Sequence, residues 1–62
     1  MNADIRGLLE QAKRKDLSGL IETDEGYSLN DREARAYLKY CLKNGYKDLH
    51  SAPEYETVKD KL

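Results

Sequence analysis

Apolar residues at Ile5, Leu8, Leu9 and Ala12 follow the i, i+3, i+4, i+7 spacing that lines one helix face. Asn2 or Asp4 is placed to cap that helix, and Lys13, Arg14 and Lys15 suit the negative end of its dipole. Gly7 weakens it by about 1 kcal/mol relative to alanine. Asp16 takes the next apolar-face position, so the spacing predicts a helix over about 4–15. A second stripe, at Ala34, Tyr37, Leu38, Cys41 and Leu42, predicts a helix over 31–44. Asn30 with Glu33 forms a capping box, and Leu29 with Ala34 stands where a hydrophobic staple would. Asn44-Gly45 ends the helix, with the glycine in the left-handed position.

A third start signal lies at 51–54. Ser51 is placed as a cap, Pro53 in the first turn and Glu54 three residues after the serine. Tyr55, Val58 and Leu62 then fall at i, i+3 and i+7, which predicts a short helix over 52–61. The stretch between the first two helices, 17–29, has no single period. Leu17, Leu20 and Ile21 require an apolar cover, and Thr23 to Tyr27 carry turn chemistry. An irregular connection, or a short hairpin pairing 20–23 with 27–29, is expected there. The fold class is therefore all-α, a single small domain of three helices over 1–62.

Composition narrows the picture further. Sixty-two residues, 39% of them hydrophobic, with no Trp or Phe, leave five tyrosines to supply all the aromatic area. A chain this short buries only about 60% of its unfolded surface, so self-association is one expected source of extra stability. Cys41 is the single cysteine, which excludes a disulfide within the chain and a cysteine-based zinc site. Eleven basic and twelve acidic residues give a net charge of −1, which argues against a nonspecific nucleic-acid coat or a membrane-surface peptide. No apolar run approaches the roughly 20 residues that span a bilayer. The first residues lack the basic start and apolar core of a secretory signal. A cytoplasmic location is expected.

Two surfaces stand out. Stepping 100° per residue from Ala34, Arg35, Lys39, Arg32 and Lys43 fall between about 100° and 180°. Residues 30–45 carry these four cations against Asp31 and Glu33, a local charge of +2. Such a ridge is a candidate contact for phosphates or an acidic partner, because arginine recognises them bidentately and lysine as a point charge. A solvated helix face is the commoner source of such a pattern, because both signs are common on ordinary surfaces. Tyr37 and Tyr55 read as packing residues, whereas Tyr27, Tyr40 and Tyr46 are candidates for a half-exposed patch.

Catalytic signals are weak. Cys41 lies mid-stripe, where a free cysteine is a small inert hydrophobe, and His50 is a lone exposed histidine. Glu22, Asp24 and Glu25 cluster without the ligand spacing of a calcium loop. Neither a phosphate-cradling glycine loop nor a dinucleotide fingerprint is present. No enzymatic activity, cofactor or metal is expected.

Residues 28–45, "SLNDREARAYLKYCLKNG", resemble the first helix of some winged-helix DNA-binding domains. There Leu, then Glu-Ala-Arg, then Tyr-Leu, closes with a Gly; the matching positions are Leu29, Glu33, Ala34, Arg35, Tyr37, Leu38 and Gly45. The resemblance covers under a third of the chain, and no functional residue is carried over from it. Residues 42–49 with 58–62 are similar, in the same limited way, to the helix–extended–helix pattern of SAP-type modules.

The first functional expectation is a non-enzymatic interaction or regulatory protein that docks on a protein partner, a second copy included. The alternative is a nucleic-acid-binding module that uses the basic ridge.

Overall fold

The computed structural model describes residues 4–62. Asp4 caps α1, Ile5–Gln11, by accepting the Arg6 N–H at 3.2 Å; Asn2 lies outside the described residues. The helix is shorter than the expected 4–15. Ile5, Leu8 and Ala12 are buried, but Lys13, Arg14 and Lys15 are exposed in a turn beyond the helix. With no apolar face to bury, those three residues gain nothing from a further helical turn. The basic run therefore does not sit on the last turn of α1.

The chain then reaches the second helix through a tightly bonded link. The Asp16 carboxylate accepts both the N–H and the hydroxyl of Ser18, at 3.0 and 2.8 Å. Leu17 is buried, and Gly19 takes a φ of +79° that an L side chain resists. Glu22 and Ser28 make one isolated antiparallel bridge, flanked by Leu29 N–H to Ile21 O and Thr23 N–H to Tyr27 O, both 2.8 Å. Ile21, Thr23 and Leu29 point into the core, whereas Leu20 stays 37% exposed. No strand is present among the described residues.

The next helix, α2, spans Asp31–Lys43, close to the expected 31–44. Its capping box is complete: Glu33 N–H to Asn30 Oδ1 at 2.8 Å and Asn30 N–H to Glu33 Oε1 at 3.0 Å. At the other end, Tyr46 N–H reaches Cys41 O and Gly45 N–H reaches Leu42 O, with Gly45 at φ +87°. These two bonds satisfy carbonyls that the last turn would otherwise leave open. Ala34, Tyr37, Leu38 and Cys41 form the buried stripe. Leu42, expected with them, is instead 37% exposed.

Beyond α2 the chain turns back across α1: Ile5 N–H donates to Lys47 O at 3.0 Å, and Asp4 bridges Asp48. The third helix is much shorter than the expected 52–61. It is α3, Tyr55–Val58, followed by one 3-10 turn at Lys59–Lys61. Ser51 is not its cap, because the helix begins only at Tyr55; the Ser51 N–H is instead bound to Asp48 Oδ1 at 2.9 Å. Glu54 stands at the cap position without a side-chain bond. Pro53 precedes the helix, its carbonyl accepting the Tyr37 hydroxyl proton at 2.5 Å. Tyr37 also meets Tyr55 edge to face, centroids 5.8 Å apart at 74°. Val58 is buried, but Leu62 is 44% exposed, so the stripe stops before it can extend the helix. The core is one cluster centred on Ile5, Leu17, Leu29, Leu38 and Cys41, drawn from α1, the link and α2.

Candidate functional site

The basic ridge does not survive as four equivalent cations. Arg32, Lys39 and Lys43 are exposed, and no ion pair among the described residues holds them. Arg35 is half-buried, and its Nε donates to Asp31 Oδ2 at 2.7 Å. Asp31 Oδ1 in turn accepts the Leu17 N–H at 2.8 Å, and Asp31 N–H donates to the Ser18 hydroxyl. The Leu17 amide first, and Arg35 next, hold the Asp31 carboxyl below its usual range. Arg35 is therefore part of the joint between the link and α2.

The three candidate tyrosines do not form one patch. Tyr27 is exposed on the link before α2, and Tyr46 follows the far end of that helix. A helix of this length spans about 20 Å. Tyr40 is half-buried and packs against the core. Tyr37 is buried, which pushes its hydroxyl well above the usual tyrosine range, with the neighbouring Cys41 and the acids of 54–56 adding to the rise.

Tyr46 does belong to a surface groove. Asp4, Arg6, Leu42, Gly45, Tyr46 and Lys47 line a depression of about 480 Å³ where the start of α1 meets the end of α2. Leu42 and Tyr46 supply its apolar part, and Arg6 and Lys47 its cations. Periodicity hid this site, because the stripe assigns Leu42 to the core. The signal that could have revealed it is the closing glycine, which turns Tyr46 and Lys47 back beside Leu42.

A second groove, of about 350 Å³, separates residues 20–23 from 49–55. Leu20, Ile21, Leu49 and Tyr55 give it apolar walls, with Glu22 and Glu54 as its acids and His50 its one basic side chain. The Asp24 carboxyl raises the Glu54 pKa, and burial and Glu56 push the same way. This influence of Asp24 on Glu54 was not legible from local spacing.

Cys41 is fully buried, and burial pushes its thiol up, away from the reactive thiolate. His50 is exposed. Among the described residues no group of three or more His, Cys, Asp or Glu is arranged to hold a metal ion. No helix among them is long and apolar enough to cross a membrane. No protein-family model matches the chain, and no curated protein or solved structure matches it either.

Proposed function

We propose that the chain is a non-enzymatic interaction or regulatory module that docks on a protein partner, a second copy of itself included, in the cytoplasm. The observation that carries this reading is Leu42. It lies on the helix that builds the core, yet it is 37% exposed and lines a groove with Tyr46, Arg6 and Lys47. Tyrosine and arginine are enriched at the centres of protein interfaces, and here both flank an exposed aliphatic side chain. The thin core of so short a chain adds a reason for a partner.

The alternative is a nucleic-acid-binding module. It is supported by the exposure of Arg32, Lys39 and Lys43 on one face of α2. Arg35 is withdrawn from it by Asp31.

Amide NMR of the folded chain separates the two. Docking between copies moves Leu42, Tyr46 and Lys47 as protein concentration rises. Binding to a short DNA duplex moves Arg32, Lys39 and Lys43 and fades between low and moderate salt, as counterion release requires. For a different protein partner, a photo-crosslinker placed at position 46 should capture it, and Leu42→Asp should abolish the capture. Salt-sensitive DNA shifts without either protein result would replace the first reading with the second.

A further inference from the structure

Charge is segregated along the chain. From Asp16 to Asp31 every charged residue is an acid, and from Ala34 to Lys47 every charged residue is a cation. The net charge of −1 leaves almost no overall repulsion between copies, so the two blocks are free to attract one another across molecules. Within one molecule they are held apart at their tips. The turn at 23–27 precedes α2, the Leu42 groove lies at the far end of that helix, and no residue of the turn lines the groove.

The groove has a definite chemistry. Arg6 and Lys47 bring it two exposed cations, and no ion pair among the described residues holds either one. Its one acid, Asp4, accepts the Arg6 N–H as the cap of α1. Leu42, 37% exposed, gives an apolar floor beside Tyr46. The fitting occupant is therefore a segment that joins carboxylates to an apolar side chain. A bare phosphate would leave Leu42 and Tyr46 uncovered.

The chain itself carries such a segment. Asp24, Glu25 and Tyr27 are all exposed, Tyr27 by 42%, and no ion pair among the described residues neutralises the two acids. The tip is also braced before any contact is made. Gly26 N–H donates to Thr23 O at 3.0 Å, and the Thr23 N–H and hydroxyl both donate to Tyr27 O, at 2.8 and 3.1 Å. A loop already fixed in shape loses little entropy on docking.

We propose that the turn at 23–27 of one copy docks in the Leu42 groove of a second copy, with Asp24 and Glu25 against Arg6 and Lys47 and the Tyr27 ring over Leu42. The inference rests on the protein-docking reading above and names the occupant of its groove. A contact this small falls below the area of a stable dimer, so the association is weak and dynamic.

The test is amide NMR of the isotope-labelled chain at low salt. Dilution from roughly 2 mM to about 0.05 mM should move the amides of 23–27 together with those of Arg6, Leu42, Tyr46 and Lys47. Added salt should weaken the association. Glu25→Lys and Lys47→Glu should each weaken it roughly tenfold, by placing like charges together. Mixed, the two variants should associate again, because the acidic turn of the Lys47→Glu chain meets the intact groove of the Glu25→Lys chain. Asp60→Lys makes the same change of net charge as Glu25→Lys on the exposed C-terminal turn and should leave association unchanged. The amides of Leu38 and Cys41 report whether each variant is folded; Asp24→Lys and Arg6→Glu replace any that is not.

No concentration dependence up to roughly 2 mM, or a mixture that associates no better than either variant alone, overturns the proposal. Movement of the groove amides without those of the turn overturns this occupant and leaves the protein-docking reading standing. Capture of a different protein at position 46, without self-association, does the same. Loss of both self-association and capture removes that reading as well.

Discussion

Asp31 and Arg35 stand one helical turn apart and close a 2.7 Å ion pair, while the other oxygen of the same carboxylate holds the Leu17 amide. The arginine thus braces the joint that carries Leu17 into the core. Arg35→Glu should lower the melting temperature. Arg32→Glu and Lys39→Glu should each change stability by less than about 0.5 kcal/mol, as exposed sites do. Thermal melts followed by circular dichroism decide this. Equal behaviour of the three variants would refute a bracing role for Arg35.

Acid should act on two carboxyls in opposite directions. The Leu17 amide and then Arg35 lower the Asp31 pKa, so its stabilisation is complete above its usual value of 3.8 and is lost as pH falls through the folded value. Asp24 raises the Glu54 pKa, so the contribution of Glu54 is present in acid and disappears as pH rises through its folded value. Asp31→Asn should therefore lower the melting temperature at neutral pH and flatten its decline in acid. Glu54→Gln should raise the melting temperature at neutral pH and match the parent once both acids are protonated. Melting temperature against pH for the three proteins checks both signs.

Two glycines should respond oppositely to alanine. Gly45 has space for a methyl group but sits at φ +87°, so Gly45→Ala should cost about 1–2 kcal/mol from backbone strain alone. Gly7 lies within α1, and a Cβ there would meet the side chain of Asp4 at an ordinary 3.9 Å. Gly7→Ala should stabilise by about 1 kcal/mol. Denaturant midpoints provide the measurement.

Leu38 and Leu42 are four residues apart on α2 but differ in burial. Leu38→Ala should cost about 2–5 kcal/mol, because Leu38 is fully buried. Leu42→Ala should cost clearly less and should instead reduce any association through the groove it lines. Chemical denaturation compared with sedimentation at several concentrations separates the two effects.

The Cys41 thiol should resist mild alkylation in the folded chain and react once denaturant exposes it, because it is fully covered and its pKa is raised by burial. Mass spectrometry after timed iodoacetamide treatment reads this directly. Rapid labelling of the folded chain would reopen the case for a reactive cysteine.

What the sequence revealed divides by the range of the interactions. The bounds of α2 were legible because their causes are local: Asn30 bonds Glu33 three residues on, and Gly45 turns the chain one residue past the cap. The expected first helix ran too far because Lys13–Lys15 continue the composition of a helix end without continuing its buried face. In the third helix the start signal lost to one local and one distant competitor: Asp48, three residues earlier, holds the Ser51 amide, and Tyr37, sixteen residues earlier, holds the Pro53 carbonyl. The same limit applies to the surfaces. Helical spacing identified the ridge face, but the engagement of Arg35 depends on how Leu17 returns to Asp31. Asp24 and Glu54 lie far apart in the chain, and only the closure of the link against the C-terminal segment joins them.

The hydroxyl of Tyr37 on the Pro53 carbonyl has a dynamic consequence. Besides that bond, the segment after residue 50 is fastened mainly by the ring of Tyr55 and by Val58, and its helix is a single turn. Segments with so few buried anchors open at a free energy well below global unfolding. Amides of 54–61 should exchange with deuterium long before those of α2, and Tyr37→Phe should speed that exchange selectively. Since residues 52–55 form one wall of the acidic groove, each such opening dismantles the groove, and a ligand seated there would slow the exchange of the whole C-terminal segment.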